Sequence, residues 1–296
     1  MERDVPLAPL TTFAVGGPAE YYAKPGDTQS LAMLLAAAAD AGTTPFILGD
    51  GANIVVSDRG ISGLTIDLRG LTGCRQQDTD VICAAGDRVS AVSAWAAEHD
   101  LAGLDFIYRM PGTVGGALWM NARCYDSEIS EVFVSAECLS MNGVPVHVPY
   151  RREDWAYKRS PFQDGSLVIT ETRLRMVPGN HETLWERMRA IESDRYAKGH
   201  FLGPCAGSVF KNDRRFGAPS GKLLDGLGAR GWREGGAEVS PKHANIIVNT
   251  GGARAGDIAR LTRRMQEQAE LALGFRLEPE IRFIGDWDEA DLPLIA

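Results

Sequence analysis

The sequence lacks the features that mark membrane-spanning and exported proteins. No segment contains the roughly 18 to 20 consecutive apolar residues that a bilayer-spanning helix requires. The N-terminal residues also lack a basic segment followed by an apolar run, which is the pattern of a secretory signal. We therefore expect a soluble cytoplasmic protein with no membrane partner.

Cysteine is scarce, and its distribution argues against two further classes of protein. The five cysteines are an odd number without a C-x-x-C pair, so neither a disulfide framework nor a zinc site is expected. A metal role for His243 is also not expected, because no second ligand stands at a suitable spacing. The pattern favours a reducing compartment.

An excess of positive charge is absent as well. The formal net charge is −8 and the pI is about 5.2, whereas nucleic-acid binders present a broad basic face. No nucleic-acid partner is therefore expected. Residues 211–242 reverse this balance, with seven basic and four acidic side chains and a net charge of +3. A charged stretch is usually a solvated surface, but this one is compatible with a small anionic ligand.

What is present is an alternation of β-rich and helical segments, with 44% hydrophobic residues to form large cores. Helices are predicted over residues 28–41, 89–98, 182–198 and 255–273. The turn Pro178-Gly179-Asn180 is the predicted boundary between two domains. The first comprises residues 1–178, and the second is a smaller α+β domain of residues 179–296.

Two glycine-rich loops are the main candidates for a ligand site. One follows an apolar strand and contains Gly49, Asp50, Gly51, Ala52, Asn53 and Ile54; the other contains Pro111, Gly112, Thr113, Val114, Gly115 and Gly116. Glycine allows a ligand to approach the backbone, and successive N–H groups can cradle an anion. Ile54 occupies the third glycine position of a Rossmann fingerprint, which excludes that motif. Each loop alone is more often a tight turn, but two together suit a pyrophosphate.

A series of segments resembles the UDP-N-acetylenolpyruvoylglucosamine reductase family. The segments are Thr12-Phe13 with Val15-Gly16-Gly17, LGDGANIVVSD, MPGTVGGALWMNA, AGSVFKND, KHANIIVN and LEPEIRFIG, in that order from about residue 11 to 285. Several such segments in the family's order cover nearly the whole chain. The chain is similar to the shorter form of the family, which lacks an extra tyrosine-bearing loop.

The resemblance implies a fold and a reaction. The fold is α+β, with an FAD-binding domain of the vanillyl-alcohol oxidase type, built of two α/β subdomains, and a smaller α+β substrate domain. The reaction is the reduction of UDP-N-acetylglucosamine enolpyruvate to UDP-N-acetylmuramate, with NADPH reducing the flavin. FAD and NADPH are the implied cofactors, and a monomer is expected. The sequence leaves open whether NADPH is preferred to NADH.

The resemblance also assigns residues to the cofactor and to proton transfer. Both glycine-rich loops, together with Asn121, are implied to hold FAD. Ser208 corresponds to the family's proton donor, although an isolated serine is more often a turn residue. Glu280 corresponds to a carboxylate that assists protonation or holds the substrate carboxyl group, whereas Glu278, predicted on the same strand face, is expected to face solvent.

One position departs from the family's pattern of Tyr-Arg-x-Ser. This chain has Tyr157-Lys158-Arg159-Ser160, which places Lys158 at the position of the active-site arginine. Lysine keeps the charge but loses the two-pronged guanidinium fork. If the segment is a strand, a one-residue shift that brought Arg159 inward would reverse the presented face, so Lys158 is preferred to Arg159.

Further substrate-binding residues and further departures follow from the same comparison. The substrate-binding candidates are Tyr157, Lys211, Asn212, Lys222 and His243, of which Asn212 is implied to contact the nucleotide sugar. Arg109, Met110, Arg123 and Asp126 stand where the family has Gly, Ile, Gly and Gly, so the local loop geometry is expected to differ.

Two rival functions remain possible at this point. An oxidase or dehydrogenase on the same flavin-binding fold would turn over with oxygen and without NADPH. A catalytically silent binding protein would keep the fold without the chemistry, and only the substitution at Lys158 favours it. Neither rival accounts for Ser208 and Glu280.

Overall fold

The computed structural model describes residues 1–295, without the side chains of Arg214, Pro293 and Ile295. Arg214, which was counted in the basic stretch, therefore has a side chain outside the described residues. None of the described helices is long and apolar enough to cross a membrane. Among the same residues, no group of three or more His, Cys, Asp or Glu side chains is placed to hold a metal ion.

The described chain contains eighteen strands and seven α-helices. The strands are β1 (Glu2–Pro6), β2 (Pro18–Ala23), β3 (Phe46–Leu48), β4 (Ile54–Val56), β5 (Ile61–Asp67), β6 (Cys74–Gln77), β7 (Asp80–Ala84), β8 (Leu101–Ala102), β9 (Arg123–Cys124), β10 (Ser127–Glu128), β11 (Phe133–Ser140), β12 (Pro145–Pro149), β13 (Leu167–Arg175), β14 (Val177–Pro178), β15 (Arg233–Glu234), β16 (Ala237–Val239), β17 (Ile247–Asn249) and β18 (Arg282–Ile284). The helices are α1 (Thr28–Asp40), α2 (Val89–Glu98), α3 (Val114–Trp119), α4 (His181–Ala197), α5 (Ser220–Gly226), α6 (Ala255–Leu273) and α7 (Leu292–Ile295).

These elements form two compact units that are not contiguous in sequence. Unit 1 contains residues 22–50 and 63–193, together with Met1. Unit 2 contains residues 2–21, residues 51–62 and the chain from Asp194 onward. The second unit therefore includes two segments from the first fifth of the sequence, which local sequence patterns did not indicate.

Unit 1 is built around an antiparallel sheet with the strand order β12-β11-β13-β7-β6. Its largest core includes the fully buried Ile107, Leu118 and Phe162. A second core packs α1, through Leu31 and Leu35, against the parallel pair β3 and β5. Asp27 caps α1 as predicted, since its carboxylate accepts a hydrogen bond from the Ser30 N–H.

The division between the units differs from the predicted boundary at Pro178. Strand β14, which contains Pro178, pairs with β8 inside unit 1. Helix α4 then packs on α2, where Leu184 and Met188 share a small core with Ala97. Apolar burial of this kind stabilises by about 2 kcal/mol per large side chain, so α4 is held in unit 1 up to Ser193.

Unit 2 has a three-stranded antiparallel sheet, β15-β16-β17, and a parallel pair of β18 with β4. The amphipathic helix α6 buries Ile258, Leu261 and Met265 in the core of this unit. It ends at Gly274, whose φ of 78° is the left-handed conformation that favours glycine at a helix C-terminus. The N-terminal segment joins the same core through the fully buried Phe13.

All five cysteines are free thiols. Cys74 and Cys83 are directly opposite residues on the antiparallel strands β6 and β7. Burial, followed by the charge of the nearby Asp87 carboxylate, raises the pKa of Cys74 to about 12. Burial also raises the pKa of Cys83 well above its usual value.

A buried carboxylate joins β2 to β5 in unit 1. Asp67 is fully buried and accepts hydrogen bonds from the Tyr22 hydroxyl and the Arg69 guanidinium. Burial alone would raise the pKa of the Asp67 carboxyl, but the hydrogen bonds from Arg69 and Tyr22 outweigh it and lower the pKa. Burial, followed by the hydrogen bond to Asp67, raises the pKa of Tyr22 to about 12.

We expect Asp67→Asn to lower the free energy of unfolding by about 3 kcal/mol, because it removes one partner of a buried ion pair. The matched control is Glu171→Gln, which breaks the more exposed pair with Arg75 and should cost less than about 1 kcal/mol. Urea unfolding of both variants measures the difference. Equal losses of stability would contradict a special role for the buried pair.

Candidate active site

The two glycine-rich loops meet within unit 1. A Cβ atom at Gly49 would lie 2.7 Å from the Thr113 hydroxyl oxygen, so no larger residue fits there without displacing the second loop. The first loop then continues into unit 2 at Gly51, which has a φ of 60°. Packing against Thr113 and a positive φ therefore explain why the first loop needs glycine at these two positions.

The N–H groups at the start of α3 are not the predicted anion cradle. Val114 donates to the Asp87 carbonyl, Gly115 donates to the Ala85 carbonyl, and Gly116 donates to the Thr113 hydroxyl. The prediction was wrong for these three amides because the loop uses them to attach α3 to β7 and to cap the helix. Gly115 is needed for packing, since a Cβ there would lie 3.0 Å from the Cβ of Ala85.

Positive charge lies beside the first loop. The Asp50 carboxylate is 3.8 Å from the Arg69 guanidinium and 4.0 Å from that of Arg88. The Arg88 side chain is 74% exposed, whereas Asp50 and Arg69 are largely buried. The exposed guanidinium of Arg88, next to a glycine-rich loop, suits a phosphate ligand, although the sequence motifs did not identify it.

The segment of Tyr157 and Lys158 is a tight turn, so the condition that it is a strand is not met. Ala156 and Arg159 exchange backbone hydrogen bonds of 3.2 and 2.9 Å, and Lys158 has a φ of 57°. The preference for Lys158 therefore cannot rest on strand alternation. It rests instead on burial, because the Lys158 side chain is half-buried while Arg159 is exposed.

Buried side chains hold this turn in place. The Asn121 amide donates to the Ala156 carbonyl at 2.9 Å and accepts from the Ser130 N–H at 3.3 Å. Gln163 donates to the Lys158 carbonyl at 3.0 Å. Asn121 is fully buried, and its side chain positions the turn. Its role in binding the cofactor stays a prediction.

In unit 2, Ser208 lies in a backbone segment that is paired on both sides. Ser208 itself forms a bridge with Ile246, and the Val209 N–H donates to the Asn245 carbonyl at 2.8 Å. On the other side, the Val209 carbonyl accepts a hydrogen bond of 2.7 Å from the Glu280 N–H. The two predicted catalytic residues of this unit thus lie on backbone segments that pair with each other, and both side chains are half-buried.

The segment of Glu280 is not the strand that was predicted. Regular strand begins only at Arg282, because residues 278–281 bond to two separate partners. One partner is the Ser208 segment, and the other is the first glycine-rich loop, where the Asn53 amide donates to the Glu280 carbonyl at 2.9 Å. Glu278 is exposed as expected, but its carboxylate is 2.6 Å from the Lys211 ammonium.

The remaining substrate-binding candidates lie around the N-terminus of α5. The Asn212 carboxamide oxygen accepts from the Ser220 N–H at 2.9 Å, and the exposed Lys222 is in the first turn of the helix. His243 packs against Gly221, since a Cβ there would lie 2.8 Å from its ring. Burial, with the nearby Lys198 charge, lowers the pKa of His243, and its Nδ1 accepts from the Asn245 N–H. His243 is therefore neutral at neutral pH, with its proton on Nε2.

Asn245 is a residue of this site that the sequence did not single out. Its side chain is buried, and it both accepts from the Phe210 N–H and donates to the Phe210 carbonyl at 2.9 Å. The sequence feature that could have indicated Asn245 is its position as a polar residue inside the apolar run of the KHANIIVN segment. Arg123 and Gln163 were likewise not assigned to the site.

The chain matches two families along its length. Residues 19–148 match the FAD binding domain, and residues 197–284 match the UDP-N-acetylenolpyruvoylglucosamine reductase C-terminal domain. The exposed Arg88 guanidinium beside the first loop fits a cofactor that carries a diphosphate, such as FAD. The chain is thus a flavoprotein of α+β architecture with a separate C-terminal domain.

Whole-chain relatives define the family more narrowly. A UDP-N-acetylenolpyruvoylglucosamine reductase from Treponema denticola is 39% identical, over 95% of this chain and 93% of the relative. One from a Synechococcus strain is 36% identical, over 100% and 94%. The crystal structure of the enzyme from Thermus caldophilus superposes with a TM-score of 0.80 at 30% identity, over 95% of this chain and 98% of that one.

The chain belongs to the UDP-N-acetylenolpyruvoylglucosamine reductase family. The predicted family, the α+β fold class with an FAD-binding domain of the vanillyl-alcohol oxidase type, and the FAD cofactor are therefore confirmed. The roles assigned to individual site residues stay predictions.

We expect Gly49→Ala to reduce the FAD content of the purified protein, because the new methyl group would collide with the Thr113 hydroxyl. The control is Gly26→Ala, since no heavy atom lies within 4 Å of a Cβ at Gly26. Flavin absorbance per protein measures retention.

The collision itself can be tested with a second change. Thr113→Ala removes the hydroxyl that Gly49→Ala would meet, at a cost of about 1 kcal/mol for the lost helix cap. The double variant should regain flavin relative to Gly49→Ala alone. No recovery would mean that the contact between the loops does not limit cofactor binding.

Proposed function

We propose that this protein reduces UDP-N-acetylglucosamine enolpyruvate to UDP-N-acetylmuramate, with NADPH as the reductant, in the synthesis of peptidoglycan precursors. Membership of the reductase family supports this reaction. The structural observation that carries the proposal is the direct backbone pairing of the Ser208 segment with Glu280, through the 2.7 Å hydrogen bond to the Val209 carbonyl. This bond joins the two backbone segments that carry the hydroxyl group of Ser208 and the carboxyl group of Glu280, which supports the proposal.

The chemistry divides between the cofactor and the chain. When bound, FAD supplies the hydride that reduces the enolpyruvyl double bond, after accepting it from NADPH. The remaining requirement is a proton for the other carbon and stabilisation of the negative charge that develops on the substrate carboxylate. These requirements fall to three side chains: Ser208, Glu280 and Lys158.

Ser208 is the proposed proton donor. A serine hydroxyl is a weak acid, but an enolate is a strong base, so a fixed hydroxyl can protonate it. The backbone of Ser208 is fixed by Ile246, and its neighbour Val209 is bonded on both sides. Glu280 is half-buried and would hold the substrate carboxyl group through a hydrogen bond.

Lys158 is the proposed charge that stabilises the developing enolate. It acts as a point charge, since an ammonium has no planar fork for a carboxylate. The turn that carries it is fixed through the Ala156 and Lys158 carbonyls, which keeps the reorganisation small when charge develops. Lys211, Asn212, Lys222, His243 and Tyr157 are proposed to bind the nucleotide-sugar substrate.

The proposal extends to organisation and location. We assign FAD binding to the N-terminal part of the chain and the proton donor and nucleotide sugar to the part from about residue 179 onward. We place the enzyme in the cytoplasm, where the nucleotide precursors of the cell wall are made, and we expect a monomer. The absence of a Rossmann fingerprint agrees with a single pocket that serves NADPH and the substrate in turn.

The reaction is tested first by anaerobic turnover of the purified yellow protein. NADPH should bleach the flavin absorbance, and UDP-N-acetylglucosamine enolpyruvate should restore it. A flavin that NADPH reduces but this substrate does not reoxidise would contradict the proposal. Rapid turnover with oxygen and an alcohol, without NADPH, would identify an oxidase instead.

Ser208→Ala should leave flavin reduction by NADPH intact and slow substrate-dependent reoxidation by roughly 10²- to 10⁴-fold, the usual contribution of a general acid. Ser208→Cys should retain part of the activity, because a thiol also donates a proton. The control is Ser166→Ala, at an exposed turn serine. Unchanged reoxidation in Ser208→Ala would remove Ser208 from the mechanism.

A further inference from the structure

Two positive charges lie around one aromatic ring at the turn of Tyr157 and Lys158. The guanidinium carbon of Arg123 is 5.9 Å from the centroid of the Tyr157 ring, and the Lys158 ammonium is 6.0 Å from the same centroid. Tyr157 is 39% exposed. Arg123 and Lys158 therefore both have this exposed ring as a neighbour.

The backbone around Arg123 is rigid. Arg123 pairs with Glu128 in the short hairpin of β9 and β10. The hairpin turns through Tyr125 and Asp126, which have φ angles of 49° and 64°, as the two central residues of a tight primed turn do. The Arg123 side chain is only 28% exposed, so its guanidinium has limited freedom.

The ion pair of Arg123 does not neutralise it effectively. Its partner is Asp126, at 3.7 Å, and the Asp126 side chain is fully exposed to solvent. Pairs of this kind contribute about 0 to 1 kcal/mol because water screens them. The Glu128 carboxylate, which is opposite Arg123 on the hairpin, accepts a hydrogen bond from the Ser130 hydroxyl.

The negative face of the Tyr157 ring attracts each cation by about 0.5 to 1 kcal/mol at an exposed site. An anion bound between the two charges would be attracted by both of them. A carboxylate suits the pair best, because the planar Arg123 guanidinium can bind both of its oxygens and Lys158 adds a point charge.

We propose that Arg123 binds the carboxylate of the enolpyruvyl group together with Lys158, and thereby supplies the two-pronged contact that a lysine alone cannot make. This inference rests on the proposed function, since it takes the substrate from there. It makes Arg123 a substrate-binding residue of the reaction, on a different element from the turn that carries Lys158.

The test is a double-mutant cycle with the FAD-loaded enzyme. Arg123→Gln should raise KM for UDP-N-acetylglucosamine enolpyruvate by roughly tenfold to a hundredfold, the loss typical of a charged hydrogen bond. The combined variant with Lys158→Gln should lose less kcat/KM than the product of the single losses, because both residues bind one group. Arg123→Lys should recover part of the loss. Additive losses would overturn the shared carboxylate.

Ligand affinity separates a carboxylate contact from other effects. UDP-N-acetylglucosamine lacks the enolpyruvyl carboxylate, so Arg123→Gln should leave its binding unchanged in calorimetry. Equal weakening of both ligands would assign Arg123 to the diphosphate or to folding, and would overturn the proposal. Asp126→Asn is the control on the same hairpin, and its KM should stay within about twofold of wild type, because the exposed pair contributes little.

Failure of the proposed function gives a different result. If the wild-type protein shows no turnover of this substrate, both the proposed reaction and the proposed role of Arg123 are contradicted. If the wild-type protein turns over this substrate and Arg123→Gln has the same KM as the wild type, only the proposed role of Arg123 is contradicted. The rate of flavin reduction by NADPH should be the same in both proteins.

Discussion

The two hydrogen bonds between the Asn245 side chain and the backbone of Phe210 are the constraint on which unit 2 depends. They satisfy the N–H and carbonyl groups of Phe210, a fully buried residue in the segment that also contains Ser208 and Lys211. An unsatisfied buried amide costs about 1 to 3 kcal/mol, so the segment cannot slip by one residue without leaving polar groups unpaired. The position of the proposed proton donor is therefore set by an amide that takes no part in the chemistry.

Much of the secondary structure could be predicted because its causes are local. Helices α2 and α6 have the predicted bounds, since apolar periodicity and end signals lie within each segment. The predicted strand near the C-terminus kept only Arg282–Ile284, because its preceding residues bond to Val209 and Asn53. Partners that are more than 70 positions away leave no local pattern.

The candidate site shows the same limit. The sequence identified Ser208, Glu280 and Lys158 through motifs, and the first two do lie on paired segments. It could not show that residues 114–116 use their amides internally, or that the segment of Lys158 is a turn. The turn depends on Asn121, which is 35 residues away from the carbonyl it binds. A motif gives the types of residue, whereas such contacts decide which atoms remain for a ligand.

The opposed thiols of Cys74 and Cys83 differ from reactive cysteines in their protonation. A reduced flavin that meets oxygen can generate peroxide, and peroxide attacks the thiolate form of cysteine. Burial raises the pKa of both thiols, which disfavours the thiolate form that peroxide attacks. The antiparallel register of β6 and β7 thus places two thiols of low thiolate content directly opposite each other.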